Sequence, residues 1–340
     1  MTIGISGNNL VFLISQPRSG STLLQRILGG HPEIHTMSEP WIMLPPVYSL
    51  RCQYSEAEYN ARFAREAITD FWQNMPQGKQ VYLEGLRKMY SYIYDRALAD
   101  SEKSLFLDKT PRYYYIIPEL QQIFPDARLI ILFRNPLAVL CSVLKTWINE
   151  NWLDFHLWEH DLLKAPNLLI EGVEYWGDRC LTMNYENLLG NADGEIKRIC
   201  HYLDLDFDPN IINYQANGLG KWSKGDVKNV YDNSKPDTKH EHQWLTLLQD
   251  CQVWRIVRDY LELLGSQSIE NMGYSYDELQ KTVDMYRPPK YKLMTTFSLE
   301  WIFEASRESQ ANKTLYSRRK NIVRLMRIIQ RYGLRNTKIA

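Results

Sequence analysis

The sequence predicts an α/β fold: a single domain with a central parallel sheet flanked by helices, plus a helical C-terminal extension. Three observations lead there. Short apolar runs at Leu10–Ile14, Ser104–Leu107 and Arg128–Phe133 have the length and solid hydrophobicity of strands buried on both faces. Each is followed by turn residues and then by a stretch with helical spacing. Strands that alternate with helices make parallel sheets rather than hairpin-linked ones.

The elements follow in order. Leu10–Ile14 runs into Pro17 and Gly20, and from Ser21 the spacing turns helical: Leu23, Leu24, Ile27 and Leu28 share a face until Gly29-Gly30 stops it. Residues 55–100 read as helix, rich in aromatics and broken at Met75-Pro76-Gln77-Gly78. Ser104–Leu107 enters Asp108-Lys109-Thr110-Pro111-Arg112, and a helix follows as far as Phe124-Pro125. Arg128–Phe133 is the clearest strand. Arg134-Asn135-Pro136 ends it, and Pro136 stands near the start of a helix over Leu137–Trp147. Cys180–Tyr185 is a weaker strand, with a helix over about 194–203. Residues 216–240, rich in Gly, Lys, Asn and Asp, read as a surface loop. Pro288-Pro289 suggests a division into a domain over 1–285 and an extension over 286–340.

Composition sets limits on function. With 340 residues and 44% hydrophobic content the chain can bury a large core, and a formal net charge of zero argues against a general nucleic-acid binder. The balance is uneven along the chain. No acidic residue follows Glu308, whereas Lys313, Arg318, Arg319, Lys320, Arg324, Arg327, Arg331, Arg335 and Lys338 all do. Leu315, Ile322, Met326 and Ile329 share a helical face among these cations. That face is a candidate contact for a partner, a second subunit or an anionic membrane surface, and packing on its own domain is the plainer reading. The five cysteines are scattered and odd in number, as in a reducing compartment. With no basic leader and no apolar run of membrane-spanning length, the expected location is cytoplasmic.

Gln16-Pro17-Arg18-Ser19-Gly20-Ser21-Thr22 lies where a strand passes into a helix. A helix N-terminus offers unpaired N–H groups and a partial positive charge. Gly20 permits close approach of the backbone to an oxyanion. Ser19, Ser21 and Thr22 add hydroxyl donors, and Arg18 adds a planar guanidinium. The segment suits a phosphate or a sulfate. It lacks the Lys of a Walker A loop, because Gly20 is followed by Ser21, which weighs against a P-loop kinase or NTPase. The plainer alternative is a serine-capped helix after a turn.

Pro17 to Leu24 resembles the 5′-phosphosulfate loop of sulfotransferases that use PAPS (3′-phosphoadenosine 5′-phosphosulfate). The Arg-Ser-Gly form is closest to tyrosylprotein and carbohydrate sulfotransferases and their bacterial relatives; the cytosolic branch usually has Lys at the place of Arg18. Three further blocks agree in order. Arg134-Asn135-Pro136 with Ser142 resembles the 3′-phosphate block, Asp108-Lys109-Thr110-Pro111 the mid-chain Lys-x-Pro element, and Tyr185-Glu186-Asn187-Leu188 the Tyr-Glu-x-Leu element beside the nucleotide. The similarity covers about residues 8 to 265. It implies the P-loop-like sulfotransferase fold, PAPS as co-substrate with PAP as product, and no metal. It also implies that Arg18, Ser19, Gly20, Ser21 and Thr22 hold the 5′-phosphosulfate, and that Arg134 and Ser142 hold the 3′-phosphate. Tyr185 would lie beside the nucleotide, and Lys235-Pro236 resembles the Lys-Pro of a loop that closes over it.

Sulfuryl transfer, like phosphoryl transfer, needs positioning, charge stabilisation and a base for the acceptor proton. Arg18 and Lys109 are the candidates for binding charge; a surface Lys109 paired with Asp108 is the alternative. Glu39 is the candidate base. It follows Arg18 at the separation found in the tyrosylprotein branch, although Ser38 and Pro40 differ from that branch. The alternative for Glu39 is a helix cap. The cytosolic branch's histidine after Lys-Thr is missing, since Pro111 follows Thr110. His156 and His160, with Glu159, have the spacing of a metal pair on one helix face, but without a Glu beside the first His they make no metalloprotease motif and read as ordinary helix residues; His240 and His242 read as solvated loop residues. Tyr90, Tyr92, Tyr94, Tyr113, Tyr114, Tyr115, Trp147 and Trp152 are candidates for an acceptor cleft, or else for the core. The expected acceptor is a small-molecule, carbohydrate or lipid-like hydroxyl, less readily an amine. A non-catalytic nucleotide-binding protein is the second rival.

Overall fold

The structure is a computed structural model. It describes residues 4–51, 58–149, 151–215, 217, 219, 222, 234–289, 293 and 296–310. Five strands form one parallel sheet: β1 (Leu10–Ser15), β2 (Ile34–Thr36), β3 (Leu105–Lys109), β4 (Arg128–Phe133) and β5 (Cys180–Asn184). Their order is β2-β3-β1-β4-β5, with β1 hydrogen-bonded to β3 on one side and β4 on the other. The α/β class, the parallel sheet and four of the strands agree with the sequence. The fifth, β2, is only three residues long, too short for any period to announce it; its pairing of Ile34 with Leu105 defines it.

Side chains alternate across a strand, and here both faces are covered. Leu10, Phe12 and Ile14 of β1 join one core cluster, while Val11 and Leu13 join the other. The second cluster is closed by α1 (Ser21–Gly29) and, beyond β5, by α8 (Tyr185–Gly190) and α9 (Ala192–Tyr202). The first and larger cluster is closed by helices on the opposite face of the sheet. These are α2 (Leu44–Tyr48), α4 (Lys79–Ala99), α5 (Ile117–Ile123), α6 (Pro136–Val143), α7 (Ala165–Trp176), α10 (Cys251–Asn271) and α11 (Tyr276–Met285). Helix α3 (Ala61–Gln73) leans on α4 without burying any residue.

Two sequence expectations change in detail. The helix after β4 is α-helical only to Val143. The next turn widens, with the Asn149 N–H bonded to the Leu144 carbonyl at 2.9 Å, and Asn149 is left-handed at φ 41°. His156 and His160 do not share a helix face: the first lies in a 3-10 turn (Trp152–Trp158), the second in the wider turn that follows (His160–Lys164).

Within 286–340, a helix over 299–310 is described, and it belongs to the main core. Leu299, Ile302 and Phe303 are buried there, and Phe303 stacks on Phe155 with ring centres 4.6 Å apart. The basic stretch from Lys313 to Lys338 and most of the 216–240 loop lie outside the described residues.

Candidate active site

The sheet order places a topological switch beside β1, the point at which open α/β sheets bind ligands at their strand C-termini. The segments following β1, β3 and β4 all meet there. The loop after β1 is shaped by two left-handed residues, Arg18 (φ 73°) and Gly20 (φ 89°). Gly20 is required on a second count: a Cβ there would lie 2.4 Å from the Tyr185 ring. Gly20 is the N-cap of α1 and offers no side chain, so the helix is not serine-capped and no side chain closes its N-terminus.

Around this loop the structure gathers most of the residues singled out in the sequence. Arg18 donates through Nε to Ser142 Oγ at 3.1 Å and lies over the Trp147 ring. Arg134 donates through Nη1 to the Arg18 carbonyl at 2.9 Å, and its guanidinium lies 4.5 Å above the centre of the Tyr185 ring. Asn135 caps α6 by accepting from the N–H groups of Leu137 and Ala138. The Asn135 N–H is in turn held by Glu186 Oε1, while the Tyr274 hydroxyl donates to Glu186 Oε2 at 2.6 Å. Glu186 therefore positions the β4 loop, although only its neighbour Tyr185 was singled out as a site residue in the sequence. Two polar atoms in this crevice, Ser19 Oγ and Arg134 Nε, are buried without a hydrogen-bond partner among the described residues. Such atoms are costly unless something supplies a partner. A ligand with anionic groups at two places, as 3′-phosphoadenosine 5′-phosphosulfate has, would supply an acceptor to each.

Lys109 and Glu39 form the centre of the site. Lys109 is wholly buried at the end of β3. Its Nζ donates to Glu39 Oε1 at 2.5 Å and to Thr22 Oγ1 of the anion loop at 3.2 Å. Glu39 Oε2 accepts from Trp41 Nε1 at 3.0 Å, so the carboxylate caps no helix. Lys109 does not pair with Asp108 at the surface either, because consecutive strand residues point to opposite faces. Asp108 is turned the other way, into hydroxyls of Tyr94 (2.6 Å), Tyr113 (3.2 Å) and Thr110 (2.9 Å). Burial pushes its carboxyl up to about 6 against the pull of those hydrogen bonds.

A wall of aromatic and cationic groups continues from Glu39. Trp41 lies over the Arg112 guanidinium, which also lies over Trp158, and Trp158 stacks on Trp147 at 3.8 Å. Arg112 is anchored by Asp161, whose carbonyl accepts from Gln16 Nε2 at 2.8 Å. Of the proposed cleft aromatics, Tyr90, Tyr94, Tyr113 and Tyr114 are core residues, Tyr92 is exposed, and Tyr115, Trp147 and Trp152 are half-buried. Lys235 is exposed, with no hydrogen bond or ion pair to the loop among the described residues. No group of three potential metal-ligating side chains occurs among the described residues, and no helix there is long and apolar enough to cross a membrane.

Residues 11–209, more than half of the chain, match the profile of the Sulfotransferase family. The chain belongs to this family. Among curated relatives, it is 31% identical over 149 residues to Nodulation protein NoeE of Sinorhizobium fredii, covering 41% of this chain and 32% of that protein. It is 25% identical over 215 residues to Protein-tyrosine sulfotransferase A of Caenorhabditis elegans, covering 60% of this chain and 52% of that protein. The chain thus spans about a third to a half of the length of these relatives. Among solved structures, the sulfotransferase domain from the Synechococcus PCC 7002 olefin synthase aligns at 24% identity and a TM-score of 0.45, covering 69% of this chain and 86% of that one. The family match gives the kinase reading no support. The matched span contains the candidate residues Arg18 to Thr22, Glu39, Lys109, Arg134, Ser142 and Tyr185, and Lys235 lies beyond it.

Proposed function

We propose that this sulfotransferase-family protein moves a sulfuryl group from PAPS to a hydroxyl of its acceptor, with Glu39 as the base. One observation carries the reading: Lys109, buried and cationic, bridges the anion loop at Thr22 and the carboxylate of Glu39. The donor's anionic end and the acceptor's proton are thereby brought to the same lysine.

In this reading the 5′-phosphosulfate lies on the N-terminus of α1, with Ser19, Ser21, Thr22 and Arg18 donating to its oxygens. Arg134 and Ser142 hold the 3′-phosphate, and the Tyr185 ring backs Arg134. Glu39 takes the proton of the acceptor hydroxyl as its oxygen bonds to sulfur. The bond from sulfur to the phosphate oxygen breaks, and PAP leaves with that electron pair. Lys109 and Arg18 stabilise the charge that grows on the oxygens around sulfur. The arriving sulfate competes with Glu39 for the Lys109 ammonium. Loading the donor therefore frees Oε1 to receive the acceptor proton.

The test has two parts. Calorimetry should register PAP binding that EDTA leaves unchanged, and Arg134→Ala should weaken it by about 1.5–3 kcal/mol, the worth of a hydrogen bond to a charged group. Incubation with PAPS labelled in its sulfur should pass label to members of an acceptor panel. PAP binding without transfer to any hydroxyl or amine acceptor would leave a nucleotide-binding protein, and undiminished binding by Arg134→Ala would remove Arg134 from the site.

A further inference from the structure

A cavity of about 350 Å³ opens next to Arg112, within the size range of small-ligand sites. Its position ties it to the reaction centre. Arg112 lies over the Trp41 ring, and the Trp41 N–H holds Glu39, so one indole separates the cavity wall from the proposed base. Asp161, also on the wall, holds Gln16 at the entry of the anion loop. One wall comes from outside the family match: Arg307, on the helix over 299–310, reaches across to Glu159 with two hydrogen bonds of 2.7 and 2.8 Å. Ser306 of the same helix accepts from the His156 N–H at 3.1 Å.

The chemistry of the walls narrows the occupant. Both carboxylates are neutralised, Asp161 by Arg112 and Glu159 by Arg307. His160 shares a hydrogen bond of 3.0 Å with the Tyr115 hydroxyl, and burial together with nearby Lys164 lowers its pKa, which keeps the ring neutral at neutral pH. No cation is therefore left over for an anionic ligand. Leu157 and the Tyr115 ring give the lining an apolar share beside its charged groups, a mixture that suits a sugar ring, with apolar C–H faces and hydroxyls at its edge, better than an alkyl chain. The lining presents planar forks of donors and acceptors beside the Tyr115 ring. The His156 Nδ1 is buried without a partner among the described residues, a cost that a ring flip toward a ligand hydroxyl would relieve.

We propose that this cavity seats the body of the acceptor, that the acceptor is a neutral polyhydroxylated molecule such as a glycan, and that Arg307, His156 and His160 select it. The proposal rests on the sulfotransferase reading for the fate of the ligand but not for its binding. The full chain is offered neutral tri- and tetrasaccharides of glucose, galactose, mannose, fucose and N-acetylglucosamine, alongside tyrosine peptides and long-chain alcohols. Saturation-transfer NMR without nucleotide reads binding, and labelled PAPS reads transfer. Saccharide saturation that falls about tenfold in Arg307→Ala, and again in His160→Ala, is the expected result, since each loses hydrogen bonds to the ligand. Where label is transferred, the loss should sit in the acceptor KM rather than in kcat, with PAP affinity unaltered. Arg307 is half-exposed, so its replacement spares the core. Saccharide binding that ignores both substitutions, or label and binding confined to peptides or alcohols, overturns the proposal. Failure to bind PAP would instead sink the sulfotransferase reading and leave the saccharide result to decide the cavity.

Discussion

Glu39→Gln separates the two roles of the central carboxylate. The change keeps shape and removes both charge and basicity. Glu39 accepts from Lys109 on one oxygen and from Trp41 on the other. An amide has a single acceptor atom, so with its oxygen turned to Lys109 its NH2 meets the Trp41 N–H, donor against donor. Lys109, wholly buried, keeps a hydrogen bond and loses its counter-charge. Stripping a partner from a buried pair costs about 3–5 kcal/mol, and the retained hydrogen bond returns about 1–2 of that, leaving about 1–4 kcal/mol of destabilisation. Urea unfolding measures it. Lys109→Met in the Glu39→Gln background should cost less than the two single effects added, by about 2 kcal/mol, because no uncompensated charge then remains. Turnover behaves differently. Loss of the base should lower kcat on the order of 10²-fold or more with PAP affinity preserved, and the second substitution cannot restore it. Additive stabilities would refute the ion pair. Near-normal turnover of Glu39→Gln, with chemistry shown to be rate-limiting, would refute the base.

Three further outcomes are expected. Gly20→Ala forces a Cβ to within 2.4 Å of the Tyr185 ring at a left-handed φ, at a backbone cost of about 1–2 kcal/mol before the clash is counted; PAP affinity by calorimetry should drop at least about tenfold, and normal binding would show that the loop tolerates reshaping. Asp108 has a folded pKa of about 6 against 3.8, so its protonated form stabilises the fold: that contribution is complete below about pH 4, is lost as pH rises through 6, and is worth about 3 kcal/mol. The stability of the native protein relative to Asp108→Asn should fall by that amount between pH 4 and 7, and a constant difference would contradict the assignment. Phe303→Ala removes a ring that is stacked on Phe155 and 2% exposed, and should cost about 3 kcal/mol in urea unfolding; a loss under about 1 kcal/mol would show that helix 299–310 is not part of the core.

What the sequence disclosed and what it withheld differ in range along the chain. β1, its loop and α1 are contiguous, and their signals are local: an apolar run, a glycine where φ must be positive, a period of 3.6. Lys109 could be placed near that loop because parallel strands bring their C-termini to one edge. The contact of Lys109 with Glu39, 70 residues away, follows only once β2 is known to lie beside β3, and three residues are too few to reveal a strand. The spacing of His156 and His160 misleads for a related reason. The chain there changes from a 3-10 turn to a wider one, and no simple period survives such a change.

The longest-range feature had no local sign at all. Arg18 lies over Trp147, Trp147 stacks on Trp158, and Arg112 lies between Trp158 and Trp41, which holds Glu39. Two guanidinium and three indole groups make up this series, which joins the anion loop to Glu39. Each contact is worth about 0.5–2 kcal/mol and none is strong alone. Their worth lies in orientation, because planar groups packed face to face fix one another's tilt. In the proposed reaction Arg18 and Glu39 serve one sulfur atom, and this series ties the two side chains to a common frame.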